Sequence, residues 1–87
     1  MKVAVWDTYV PREDGKVMHF DIIVPDYIKD ESKIYAFGKA YLQLKNKSNL
    51  QLTAKECKLC HIEEAGAELV EVINRDGYYI FEMQNCN

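Results

Sequence analysis

Two runs of strand-forming residues at the start of the chain, separated by a turn sequence, place the strongest constraint on the fold. Residues 2–10 and 16–24 are both rich in β-branched and aromatic side chains. Between them lies the sequence PREDG, in which the proline and the Asp-Gly pair are typical of turns. Pro25 ends the second run, because proline has no N–H to donate to a neighbouring strand. The sequence therefore predicts an N-terminal β-hairpin.

The two faces of this hairpin differ in polarity, since successive side chains of a strand point to opposite sides. One face is almost wholly apolar and is expected to meet the helices; it carries Ala4, Trp6, Thr8, Val10, Met18, Phe20, Ile22 and Val24. The other face, called the mixed face below, carries Val3, Val5, Asp7, Tyr9, Val17, His19, Asp21 and Ile23. If the five-residue turn sets the register, Asp7 lies directly across from His19.

A helix is predicted after the hairpin, beginning near Asp30 or Ser32 as N-cap and ending at about Lys45. Its apolar residues recur at helical spacing: Ile34, Phe37, Tyr41 and Leu44. Residues 50–52 are then expected to form a short strand. Thr53 and Glu56 have the spacing of a capping box, which predicts a helical turn leading into the segment that starts at Cys57.

A second helix is predicted from about Ala67 to Arg75 and is stopped by Asp76-Gly77, because glycine suits the left-handed position after a helix. Residues 78–83 (YYIFEM) read as the final strand. The order of elements predicts a single α+β domain over residues 1–87, built as a two-layer sandwich. In it a small mixed or antiparallel sheet, made of the hairpin and the C-terminal strand, has both helices packed on one face.

Composition and charge exclude several classes of function. The 87 residues carry a formal charge of −3 and no basic cluster, which argues against binding of nucleic acid. The apolar run at the N-terminus is short and is interrupted by Asp7, so it is neither a signal peptide nor a membrane span. We therefore expect a cytoplasmic protein that does not bind membranes. Its three cysteines would stay reduced there, so structural disulfides are not expected.

The stretch Cys57-Lys58-Leu59-Cys60-His61 is the main candidate for metal or thiol chemistry. Two residues between cysteines allow both sulfurs to reach one tetrahedral zinc ion, with Cys86 and either His61 or His19 completing the set. A second paired motif is missing, however. The zinc interpretation also depends on local structure, because an extended segment would send Cys57 and Cys60 to opposite faces of a sheet.

The same cysteines allow other interpretations. Cys-x-x-Cys-His is also the attachment motif for c-type haem, but that cofactor would require export, for which the sequence has no signal. A redox pair would place Cys57 at the start of a helix, where the helix dipole lowers the pKa of a thiol. The simplest alternative is that Cys57 and Cys60 are small buried residues of the core, as free cysteines often are.

A second candidate site is the polar cluster Asp7, His19 and Asp21 on the mixed face. A carboxylate can orient an imidazole for acid–base chemistry, and two carboxylates beside a histidine could hold a cation. An Asp–His pair across two strands also serves simply to satisfy polar groups on a partly solvated sheet, and this structural interpretation is the simpler one.

The apolar residues of the mixed face suggest a surface for self-association. If no helix covers these residues, they form a contiguous apolar patch, and such patches mark interaction surfaces. The members of this patch would be Val3, Val5, Tyr9, Val17 and Ile23, with Ile80 beside them. The sequence therefore predicts a homodimer through the exposed sheet face, unless the C-terminal residues cover the patch.

Several segments resemble a small bacterial family known only as a domain of unknown function. They are Met18-His19-Phe20-Asp21, Cys57-Lys58-Leu59-Cys60-His61, and Gly77-Tyr78-Tyr79 followed by Glu82-Met83 and Cys86. The resemblance implies a compact α+β protein of bacterial type and supplies no reaction. No catalytic signature is visible either. We therefore expect a non-catalytic binding or assembly module, with a zinc-binding or thiol-redox protein that uses the cysteine cluster as the alternative.

Overall fold

The computed structural model describes all 87 residues as four strands and two helices. In chain order they are β1 (Lys2–Pro11), β2 (Val17–Pro25), α1 (Glu31–Leu44), β3 (Cys57–Glu64), α2 (Ala67–Asp76) and β4 (Tyr79–Gln84). The strands form one antiparallel sheet in the order β3-β1-β2-β4, so the hairpin occupies its centre. The predicted α+β class is confirmed. Neither helix has the length and apolar character needed to cross a membrane.

The hairpin forms as predicted, but its register is shifted by two residues from the expected one. The backbone N–H of Arg12 donates to the carbonyl of Lys16 over 2.7 Å, and Gly15 adopts a left-handed φ of 88°. Pro11 therefore belongs to β1 and pairs with Val17. The turn consequently comprises residues 12–16, and Asp7 lies opposite Asp21 while His19 lies opposite Tyr9.

The main core lies on the apolar face, where α1 packs. Asp30 is the N-cap of this helix, as predicted, and its side chain accepts a hydrogen bond from the N–H of Ser32 over 3.0 Å. The helix approaches the sheet closely at Gly38, where an added Cβ would lie 2.9 Å from the terminal methyl group of Ile22. The buried members of this core are Ala4, Trp6, Val10, Met18, Phe20, Ile22, Val24, Ile34, Tyr41, Leu42, Leu52, Cys57 and Cys86.

The second helix packs on the mixed face, not beside α1 as expected. Ile73 of α2 forms a separate buried cluster with Val3, Val5 and Ile23. Only two residues join β3 to α2, and this end of the mixed face is apolar, so the helix covers the nearest apolar surface. The helix ends as predicted, with Gly77 at a left-handed φ of 89°.

The position of α2 changes the apolar patch that was predicted for self-association. Val3, Val5 and Ile23 are at most 6% exposed. Ile80 pairs with Ile22 and therefore lies on the apolar face. Of the predicted patch, only Tyr9 and Val17 remain exposed.

The third strand lies later in the chain than expected. Residues 50–52 form no strand, although Leu52 is buried in the main core. The predicted helical turn at Thr53 and Glu56 is confirmed: the N–H of Thr53 donates to Glu56 Oε1 over 2.8 Å, and the carbonyl of Thr53 accepts from the N–H groups of Glu56 and Cys57 over 3.0 and 3.1 Å. β3 begins directly after this turn, at Cys57.

Removing the single fully buried side chain of α2 tests its attachment to the mixed face. We expect Ile73→Ala to lower the free energy of unfolding by about 2–4 kcal/mol, because it leaves a cavity between the helix and the sheet. Urea denaturation measures the change. Val70→Ala is the control, since Val70 is half-buried and outside both core clusters. An equal loss in both variants would contradict the assigned packing.

Candidate functional site

The predicted polar cluster assembles at the centre of the sheet, on the mixed face. Asp7 of β1 and Asp21 of β2 are direct cross-strand partners. His19 lies diagonally from Asp7, and its Nε2 atom is 2.7 Å from Asp7 Oδ1. One potential ligand atom from each of the three side chains lies within 4.8 Å of the others. The hairpin register alone therefore brings two carboxyl groups and an imidazole together.

The imidazole of His19 is held on two sides. The ring of Tyr9 stacks on it at 4.1 Å between centroids with an angle of 14° between planes, while Asp7 bonds to its edge. The side chain of His19 is 18% exposed and that of Asp7 33% exposed, so the cluster is half-buried but open to solvent. It is therefore accessible to a small ligand in an arrangement that is already fixed.

The cluster is bordered by two further residues, which the sequence analysis did not single out. Lys58 of β3 pairs with Asp7, and Phe81 of β4 pairs with Asp21. Neither could be found from the sequence, because their positions follow from the registers of β3 and β4 with the central hairpin. α2 covers the adjoining apolar end of the same face, so the cluster lies between this helix and the hairpin turn.

The two carboxyl groups have pKa values displaced in opposite directions. Partial burial, a hydrogen bond with Asp7 and the negative charge of Asp7 raise the pKa of Asp21 to about 6. Burial alone would raise the pKa of Asp7 as well, but hydrogen bonds with His19 and Asp21 outweigh it and lower that pKa below its ordinary value. Two facing carboxylates repel each other, so this pair retains a proton near pH 6.

This arrangement can exchange a proton or hold a cation. A positive ion between Asp7 and Asp21 would relieve the same repulsion that the shared proton relieves. The hydroxyl of Thr8 is buried on the opposite face and donates to the carbonyl oxygen of Trp6 over 3.2 Å. The phenol of Tyr9 lies on the face of the cluster, and desolvation together with the charge of Asp7 raises its pKa, so that it stays protonated. The chemistry that the cluster offers is therefore that of two carboxyl groups and an imidazole, with the protonated phenol of Tyr9 beside them.

The structure separates the predicted cysteine ligands. Cys57 is buried on the apolar face, where it accepts a hydrogen bond from the Thr8 hydroxyl over 3.3 Å, and burial raises the pKa of its thiol. Cys86 is buried in the same core and donates to the backbone carbonyl of His19 over 3.3 Å. All three cysteines are free.

Cys60 lies at an irregularity on the edge strand. Val5 pairs with His61 and Trp6 with Leu59, so Cys60 is the extra residue of a β-bulge. Its exposed sulfur lies 3.3 Å from Nδ1 of His61. Because β3 is extended, it does not bring the thiols of Cys57 and Cys60 to one point. The one group of three or more potential ligands that the fold assembles is Asp7, His19 and Asp21.

Residues 1–83 match the model of a family described as a domain of unknown function, DUF2024. The chain belongs to this family. It is also similar to protein NE1680 from Nitrosomonas europaea, a structural genomics target whose structure was determined by NMR. The two chains are 39% identical, the alignment covers 100% of each, and the TM-score is 0.88. No curated protein matches the chain. The resemblance to an uncharacterised bacterial family is thus confirmed, and it assigns no reaction.

Replacing Asp21 by Asn tests the carboxyl pair through the pH dependence of stability. Because folding raises the pKa of Asp21, this group stabilises the fold below about pH 4 and loses that effect as the pH rises through about 6. Asp21→Asn should therefore raise the free energy of unfolding at about pH 8 by about 1–2 kcal/mol, the solvent exposure of the site reducing the gain.

Close to about pH 3 the same variant should match the wild-type protein, since Asp21 is then protonated in both the folded and the unfolded chain. Urea denaturation at both pH values measures this difference. Asp26→Asn makes the same change outside the cluster and serves as the matched control. A gain of equal size at both pH values would rule out the raised pKa as its cause.

The separation of the cysteines predicts one reactive thiol per folded chain. Cys60 should react rapidly with an aromatic disulfide reagent, while burial protects Cys57 and Cys86. Mass spectrometry of the quenched reaction identifies the labelled residue, and Cys60→Ser should abolish the fast phase. Equal labelling of Cys57 and Cys60 in the folded protein would contradict the structure, whereas all three thiols should react in denaturant.

Proposed function

We propose that this domain is a binding module and that Asp7, His19 and Asp21 bind a divalent cation. The observation that carries the proposal is the convergence of two carboxylates and one imidazole, with ligand atoms within 4.8 Å of one another, on half-buried side chains. Strand pairing fixes their backbones, and stacking on Tyr9 fixes the histidine ring. Little conformational entropy is therefore lost when a ligand binds.

The donor set favours a particular group of ions. Imidazole suits zinc, iron and nickel, whereas carboxylates also accept manganese and magnesium. Mn²⁺ and Zn²⁺ accept both kinds of donor, while Mg²⁺ prefers an all-oxygen octahedral site. We therefore expect Mn²⁺ and Zn²⁺ to bind more tightly than Mg²⁺.

Binding should also compete with the proton that the carboxyl pair retains. A cation between Asp7 and Asp21 requires both groups to be ionised, and the raised pKa of Asp21 makes this ionisation costly below about pH 6. The affinity should therefore fall as the pH decreases from 8 to about 5, accompanied by the release of a proton on binding.

Titration calorimetry with Mn²⁺, Zn²⁺ and Mg²⁺ tests the proposal. Asp21→Asn should weaken Mn²⁺ binding by about tenfold or more, because it removes one anionic ligand, and Asp26→Asn should leave it unchanged. Line broadening by Mn²⁺ in NMR spectra should be centred on residues 7, 19 and 21.

One further variant separates this site from the zinc site predicted at the cysteines. Cys60→Ser should not alter the affinity for either ion, since Cys60 lies outside the cluster. Absence of binding at millimolar metal, or binding that is lost in Cys60→Ser and retained in Asp21→Asn, would refute the assignment to Asp7, His19 and Asp21.

We also propose that the protein works in the cytoplasm. The state of the cysteines supports this location, because all three are free and two of them are buried in the main core as small apolar side chains. Unpaired thiols of this kind are usual in a reducing compartment.

A further inference from the structure

A groove runs along one flank of α2 on the mixed face of the sheet. Its volume is about 780 Å³, which falls within the range of roughly 300–1,000 Å³ that small-molecule sites occupy. Asp7, His19 and Asp21 do not line this groove, so it is separate from the proposed cation site.

The middle of the groove and its β4 end are apolar. Side chains of α2 line one side, those of β4 line the other, and one residue of β2 lies between them; the large apolar members are Ile23, Leu69, Val72, Tyr79 and Phe81. Tyr79 pairs with Ile23 and Phe81 with Asp21, so both aromatic rings lie on the mixed face. Because Tyr79 is 37% exposed and Phe81 49%, both rings are available to contact a ligand.

The opposite end of the groove, beside β3, is acidic. Glu63, Glu64 and Glu68 line this end, and no lysine or arginine lines any part of the groove. The N-terminal ammonium group compensates Glu64 at 2.8 Å, and the N-terminus of α2, with about half a positive charge, offsets part of the charge of Glu68.

The remaining negative charge at this end has no fixed cation beside it. The carboxylate of Glu63 lies 3.3 Å from the imidazole of His61, a group that is ordinarily uncharged at about pH 8. Glu68 is exposed in the first turn of α2 and forms no ion pair. The groove therefore combines an apolar body with a negative end.

This combination selects the charge of a ligand. An anion placed in the groove would be repelled by the glutamates, because like charges at short range are unfavourable. A neutral apolar molecule would gain only the contacts with the apolar lining. A molecule with an apolar body and one positive end gains both the apolar contacts and charge-assisted hydrogen bonds to carboxylates.

We infer that the groove binds a small organic amine with an aromatic body, its ammonium group at Glu63 and Glu68 and its ring against Val72 and Phe81. Three strand spacings separate β3 from β4, about 14 Å, which leaves room for the two ends of such a molecule. Offset stacking of the ligand ring on Phe81 adds to the burial of apolar surface.

Phenylbutylamine is the probe that tests this inference, in a titration of the full chain followed by NMR at about pH 8 and low ionic strength. We expect chemical-shift changes centred on residues 63–72 and 79–81. Phenylbutanol, which has the same body without the charge, should bind about fivefold more weakly, because it lacks the ion pairs with the carboxylates. Phenylbutyrate, with a negative end, should bind most weakly of the three.

Two glutamates of α2 provide a matched pair of variants. Glu68→Gln should raise the dissociation constant of phenylbutylamine by about threefold, and Glu63→Gln combined with it by about tenfold, since each change removes one exposed ion pair. Glu71→Gln makes the same change on the same helix outside the groove and should leave the affinity nearly unchanged. Circular dichroism establishes that each variant is folded.

A positive charge introduced into the groove gives an independent measurement. Val72→Lys should weaken phenylbutylamine binding by about tenfold or more, whereas Val70→Lys, the same change on a residue of α2 that does not line the groove, should not. Equal affinity for the amine and the alcohol, equal effects of Glu68→Gln and Glu71→Gln, or no binding at millimolar amine would overturn the inference. Binding that Asp21→Asn abolishes and Glu68→Gln does not would overturn it as well, because the ammonium group would then lie at the polar cluster.

Discussion

The antiparallel pairing of β1 with β2 is the interaction on which the rest of the structure depends. Its register runs from Val3 opposite Pro25 to Pro11 opposite Val17 and assigns every side chain of the two central strands to a face. A slip of one residue would exchange the faces and expose the main core. A slip of two would keep the faces but separate Asp7 from Asp21. The turn at residues 12–16 therefore determines both the core and the candidate site.

The two faces differ in how completely they can be covered. The apolar face is covered by α1 and contains most of the buried residues. On the mixed face, α2 covers the apolar end and leaves the polar end open. A helix placed over the carboxyl pair would remove more water from two groups that already repel each other, which is costly. The position of the open site thus follows from the distribution of charge along the hairpin.

Local signals in the sequence predicted the elements that depend on local interactions. The turn glycine, the Asp30 cap and the left-handed Gly77 were each recognisable from residue type, and the hairpin and both helices formed as expected. β3 was missed because most of its side chains are exposed, so that it has no alternation of buried and exposed residues. Its conformation is determined by pairing with β1, which a single segment of sequence does not reveal.

The same distinction applies to the candidate site. The residues Asp7, His19 and Asp21 could be assigned to one face from their spacing alone, because the period of a strand is two. The cross-strand partners of these residues could not be assigned from the sequence, because the inclusion of Pro11 in β1 shifted the register and made the two carboxylates neighbours. The placement of α2 on the mixed face likewise depended on the position of β3, since only two residues separate them.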